Sequence, residues 1–186
     1  MDAIAVLHHR RSEAALGDPA PRGQVLDNIQ RAALTAADHA TLTPWRFLQI
    51  RGDARHRLGE LLVRAREAAE GPLSATEREP TRNRPLRAPL LIVVIARCRT
   101  DTKVPEMEQI ISAGAAAQNM LNAAYAQDVG AIWRTGGFAY DPTVKAGLGL
   151  AAGEHIVGFL YLGTVTAPRP PRPPREPEAF FRDWVG

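Results

Sequence analysis

RAPLLIVVIARC, residues 87–98, holds the longest apolar run of the chain. From Leu90 to Ala96 it carries no polar side chain, and Ile92, Val93, Val94 and Ile95 are β-branched. A half-exposed strand would alternate apolar with polar; a continuous run predicts a strand buried on both faces. Ala88–Ala96 is also about half the ~20 residues a membrane span requires. Such a strand needs layers above and below it, and the flanking sequence offers helices.

Downstream, EMEQIISAGAAAQNMLNAAYAQ (106–127) spreads alanines and Gly114 over more than one helical face. That composition predicts a central helix approached closely by neighbours, in the core or at a subunit interface. Upstream, WRFLQIRG (45–52) alternates as a strand, and Leu58, Leu61, Leu62 and Ala65 stripe a helix over 54–69. Val25, Leu26, Ile29, Ala33 and Ala36 mark a helix over 24–37, and Asp2 caps a short first helix ending near Arg11. AIWRTGGF (131–138) and HIVGFLYLGT (155–164) give two further strands, with Asp141–Pro142 starting a helix between them. GLGLAAG (147–153) follows a helix and lacks GxGxxG spacing, so it is a turn and not a nucleotide loop. Residues 71–87 are polar, proline-broken and without a period, which predicts a mobile excursion. Strands interleaved with helices make one α/β or α+β domain.

The 186 residues suit a single domain, and 45% hydrophobic with 23% charged residues is enough for a real core. A net charge of +3, with arginines scattered and few aromatics between them, does not fit a nucleic-acid face. Cys98 is the only cysteine; it allows neither an intrachain disulfide nor a thiolate zinc cluster, and it reads as a buried inert thiol. His8, His9, His39, His56 and His155 show no metal spacing, so no metal is expected. No cationic leader precedes the short apolar start, which predicts a soluble, cytoplasmic protein without a membrane partner.

HHRRS (8–12) is the strongest chemical signal. It is either surface charge or an anion grip: Arg10 and Arg11 offer forked donors that match phosphate oxygens, and Ser12 adds a hydroxyl. Ser12 lies in no nucleophile elbow, and Asp38–His39 are adjacent residues that rarely face each other as an acid–base pair.

Taken with AADHATLTPWRF, KVPEMEQIISAGAAAQNMLNAA, GAIWRTG and IVGFLYLGT, the segments MDAIAVLHHRRS and RAPLLIVVIARC resemble the FMN-dependent nitroreductase family. The likeness is to its small YdjA-type NAD(P)H nitroreductases, colinear from Met1 to about Thr164. The resemblance implies an α+β fold, three-layer α/β/α with a mainly antiparallel central sheet. It also implies an obligate homodimer with one FMN in each of two interface clefts. Hydride would pass from NAD(P)H through flavin N5 to an acceptor such as a nitroaromatic or quinone. Other flavin reactions of the family, dehydrogenase or dehalogenase in type, stay open at this point, as does a non-enzymatic basic binding module.

By the same resemblance Arg10, Arg11 and Ser12 grip the FMN phosphate and the polar side of the flavin. Thr35 and His39 face that flavin from the partner subunit, and Trp133, Arg134 and Thr135 run along its ring. No catalytic acid or base is implied, because the flavin does the chemistry. RRSEA puts Ala14 where many members carry a cation, which lowers the expected flavin potential. The domain spans 1–165; residues 166–186 form a proline-rich tail whose Phe180, Phe181 and Trp184 are expected to anchor on the partner subunit. Arg169 or Arg172 in that tail is a further candidate for the phosphate.

Overall fold

In the computed structural model the described residues are 2–170, 173 and 175–186. The chain runs α1 (Ala3–His9), β1 (Leu16–Gly17), α2 (Gly23–Ala33), β2 (Trp45–Arg51), α3 (Asp53–Glu70) and α4 (Ala75–Arg82). It continues with β3 (Leu90–Arg97), α5 (Glu106–Ala126), β4 (Gly130–Arg134), α6 (Gly137–Tyr140), α7 (Pro142–Gly147) and β5 (Glu154–Val165).

β3 is the buried strand the LLIVVIA run predicts: Leu90 to Ala96 are each at most 2% exposed. Its side chains alternate between two cores. Leu90, Ile92 and Val94 face α2 and α5, with Ile29, Ala113, Ala117 and Met120. Leu91, Val93 and Ile95 face α3 and α7, with Leu58, Leu62 and Val144. A strand buried on both faces therefore sits between two helical layers, and the fold is the expected three-layer α+β arrangement.

Every strand pair in the sheet is antiparallel. β3 lies between β2 and β5, and β5 also pairs with β4 and, at its end, with β1. Close packing in the α5 layer comes from Ala113, Ala116, Ala117 and Ala124, all inaccessible to solvent.

Three expectations change. The helix expected over 24–37 stops at Ala33. Cys98 is half-buried rather than buried. The excursion expected over 71–87 is instead α4 followed by a 3₁₀ turn, Arg84–Arg87. Periodicity missed α4 because the contacts that make it are tertiary and polar. The Glu77 carboxylate accepts hydrogen bonds from the Ser74 N–H (3.1 Å) and hydroxyl (2.6 Å) at its start. Arg82 pairs with Glu60 (2.5 Å) and Arg78 with Glu67, both glutamates on α3. Gly59 permits this approach, since a Cβ there would sit 2.2 Å from the Arg82 carbonyl oxygen.

After β5 the tail begins in contact with the domain, the Thr166 N–H donating to the Ala15 carbonyl (3.1 Å). At its end Phe180, Phe181 and Trp184 are 67%, 78% and 91% exposed, without a seat on their own chain. Among the described residues no helix is long and apolar enough to cross a membrane.

Candidate functional site

The basic triplet is positioned by the end of α1. Asp2 caps the helix, accepting from the Ala5 N–H at 3.2 Å, and the Arg10 N–H closes it on the Val6 carbonyl at 3.0 Å. Beyond Arg10 the chain turns extended, leaving Arg10, Arg11 and Ser12 half-buried in succession. Glu13 then ties the segment down. Its N–H donates to the Ala131 carbonyl at the start of β4 (3.0 Å), and Oε1 receives Arg11 Nε at 2.6 Å. Its Oε2 accepts from the Arg169 N–H at 3.0 Å. Glu13 is 5% exposed, so this one buried carboxylate joins the triplet, β4 and the chain leaving β5. Glu13 lay unnoticed within RRSEA: a buried acid beside two arginines reads in sequence as one more surface charge.

β4 carries the next three candidates, and strand alternation separates them. The Trp133 side chain lies on the α5 side, its indole N–H donating to the Val157 carbonyl at 3.3 Å. Two glycines make room for this ring. A Cβ on Gly158 would meet Trp133 Nε1 at 2.0 Å, and one on Gly114 would touch the ring at 3.8 Å. The Arg134 side chain points to the opposite, α3 side, where its guanidinium lies over the Tyr161 ring (5.6 Å to the centroid). Burial pushes the Tyr161 phenol up, and Arg134, Arg87 and Arg84 pull it back down. Thr135 is exposed where the strand ends.

Thr35 and His39 lie after α2, and both are exposed. Thr35 donates its hydroxyl to the Ala32 carbonyl (3.0 Å). It borders an open concavity of about 440 Å³ formed with Val6 and Leu7 of α1 and Asn119 and Asn122 of α5. His39 Nδ1 lies 2.6 Å from Glu108 Oε2. The loop beyond holds Ala40, Thr41 and Thr43 at φ 58°, 53° and 46°. Two β-branched residues in left-handed geometry are strained, and strain of this kind gathers at functional segments. Asp38 steadies the loop, its carboxylate accepting from the Thr43 N–H at 2.6 Å.

The structure thus joins Arg10–Ser12 to β4, and Thr35 to α1. It places His39 at the start of α5 and the Arg134 side chain across the sheet. Arg172 lies outside the described residues.

Residues 7–164 match the Nitroreductase family. The chain belongs to that family. It is 44% identical over 164 residues to YdjA of Escherichia coli K12, named as an NAD(P)H nitroreductase, with 88% of each chain covered. A Haemophilus influenzae relative, also named as an NAD(P)H nitroreductase, is 32% identical over 165 residues, covering 88% of this chain and 89% of its own. Among solved structures, a nitroreductase-like family protein of Bacillus cereus superposes with a TM-score of 0.84 at 23% identity, over 100% of this chain and 97% of that one. A nitroreductase of Bacteroides fragilis solved with bound FMN superposes at 0.73 with 21% identity, covering both chains fully. The nitroreductase family is a family of enzymes.

One further cluster in this nitroreductase forms only in three dimensions. Cys98 Sγ, a Glu106 carboxylate oxygen and a His155 ring nitrogen lie within 4.8 Å of one another. Glu106 Oε1 is 2.5 Å from His155 Nε2, an ion-pair separation. Burial, and then the Glu106 carboxylate, push the Cys98 thiol up, away from the reactive thiolate.

Proposed function

We propose that this protein is an FMN-dependent oxidoreductase that accepts hydride from NAD(P)H and delivers it to an acceptor such as a nitroaromatic or quinone. The observation that carries this is the family match over 7–164, which contains Arg10, Arg11, Ser12, Thr35, His39, Trp133, Arg134 and Thr135. The residues fit the cofactor. Arg10, Arg11 and Ser12 supply cationic forks and a hydroxyl for a phosphate, and Trp133 supplies a planar wall on a strand tied to them. Bound FMN supplies the hydride relay.

The chain's own part is to bind and orient. Arg10 and Ser12 hold the phosphate end. Arg11 is kept in place by Glu13, so its fork is presented and not mobile. The backbone of Trp133–Thr135 would line the flavin ring, while the Arg134 guanidinium lies over Tyr161 on the α3 side of the sheet.

The site is completed by a second copy of the chain. Ile4 and Leu7 of α1, Leu34 after α2, and Met107 and Ile111 of α5 are between 56% and 65% exposed. Apolar exposure on three neighbouring helices favours a homodimer formed on this layer. In that dimer Thr35 and His39 approach the partner's flavin, and Phe180, Phe181 and Trp184 of the tail pack on the partner. The free Cys98 suits a reducing compartment, in keeping with a cytoplasmic enzyme.

Purified protein supplied with FMN tests the assignment at once. It should be yellow and dimeric, with one FMN bound per chain; a colourless protein that takes up no FMN would refute it.

A further inference from the structure

On the face of the sheet away from α5, a small cavity of about 100 Å³ opens between α3, the Arg84–Arg87 turn and the end of β4. Three guanidinium groups converge on it. Arg84 and Arg87 are exposed, Arg134 is half-buried, and apolar walls come from Leu62, Phe138 and Tyr161. Among the described residues none of the three arginines has a carboxylate partner. The Arg134 Nε is shut off from solvent and has no hydrogen-bond partner.

Each part of this arrangement is unfavourable without a ligand. Three like charges repel across a shared space, and a buried donor left unpaired pays its full desolvation. Several arginines elsewhere are paired instead: Arg11, Arg31, Arg46, Arg66, Arg78, Arg82 and Arg99 each meet a carboxylate within hydrogen-bonding reach. Aromatic faces hold two of the cavity arginines in place. Arg84 lies over the Phe138 ring at 5.0 Å and Arg134 over Tyr161 at 5.6 Å, which leaves their N–H edges for another partner. All three charges also act on the Tyr161 phenol, so their fields overlap at one place.

We infer that this cavity is an oxyanion site, built for a phosphate group carried either as the free ion or as the phosphoryl end of a small molecule. Size selects the group: the space is smaller than the ~150 Å³ that holds a benzene, so it takes a tetrahedral oxyanion and not a nucleotide. Charge selects it too, because a monocarboxylate offsets one guanidinium and a phosphate dianion offsets two. Guanidinium forks match its oxygens in pairs. Thr135 also borders the cavity, so it adjoins the strand end assigned to the flavin, while the Trp133 side chain lies on the opposite face of the sheet.

Calorimetric titration of inorganic phosphate into low-salt protein saturated with FMN tests it, the flavin's own phosphate seat being filled in that state. Protein that takes up no FMN is titrated as purified, so failure of the flavin assignment leaves this test standing. The expected result is saturable 1:1 binding that weakens tenfold or more in an Arg84→Gln/Arg87→Gln double variant. Both positions are exposed and outside the flavin residues, so melting temperature and flavin spectrum should not change. Phenyl phosphate distinguishes the two sources: tighter binding than phosphate indicates a phosphoryl ester, and weaker binding the free ion. Absence of saturable phosphate binding in the wild type, or equal affinity in the double variant, overturns the site. Chloride competing as well as phosphate does so too, because it would show a diffuse positive field only.

Discussion

Arg10 is a half-buried side chain at a helix end, three residues before the buried carboxylate of Glu13, and its proposed partner is a phosphate. A charged hydrogen bond is worth about 1.5–3 kcal/mol, so Arg10→Ala should weaken FMN binding about tenfold or more. Riboflavin lacks the phosphate and should lose little affinity in that variant; a wild type that binds riboflavin and FMN equally would return HHRRS to surface charge. A second residue-scale expectation concerns pH. Glu154 accepts from Arg46 Nε and Nη2, both at 2.7 Å, and from the Ala151 N–H at 2.9 Å. The Arg46 hydrogen bonds hold its carboxyl below the ordinary value, against the opposing effect of burial. A depressed folded pKa means the stabilisation is present at neutral pH and is lost as pH falls below about 4. Glu154→Gln should therefore cost roughly 1–2 kcal/mol at pH 7, about 2–8 °C in melting temperature, and the gap to wild type should close in acid. An equal gap at pH 7 and pH 3 would contradict that origin. HHRRS stands out in the sequence because its residue types are unusual together. Glu13 does not, since its importance lies in burial and in bonds to residues far along the chain.

Elements announced themselves wherever burial wrote a pattern. β3 is a continuous apolar run because both faces are covered, and α5 is rich in alanine because neighbours press on several of its sides. α4 left no such trace: it is held by ion pairs to α3 and by the glycine that lets it approach, and neither has a period. Gly59→Ala tests that account. Its Cβ would meet backbone, the Arg82 carbonyl at 2.2 Å, so α4 must shift outward at a cost of about 1–3 kcal/mol. A melting temperature unchanged by the substitution would show α4 to be loosely attached. The tail is an element that the sequence read as an anchor, and its aromatic end lies exposed on the isolated chain. Deleting 167–186 should lower the melting temperature and weaken the dimer, with flavin loss following; unchanged melting, dimerisation and flavin content would show the tail to be passive.

At the scale of the whole molecule, two helical layers around an antiparallel sheet leave one layer with unpartnered apolar side chains on α1, after α2 and on α5. Sedimentation of dilute protein should therefore give about twice the chain mass of 20.2 kDa. A stable flavin-bound monomer would contradict a shared site. What could not be read from sequence at this scale is the separation of faces. Trp133 and Arg134 are neighbours in the chain, yet strand alternation sends one toward α5 and the other into the arginine cavity. If the chain holds FMN as proposed, NAD(P)H reduces the flavin and a second substrate reoxidises it. Anaerobic mixing of the FMN-loaded protein with NADH or NADPH, followed by a nitroaromatic or quinone, reads out both half-reactions. The visible flavin band should bleach with at least one nucleotide and return on adding the acceptor, whereas bound FMN that keeps its colour with both nucleotides would rule out this function.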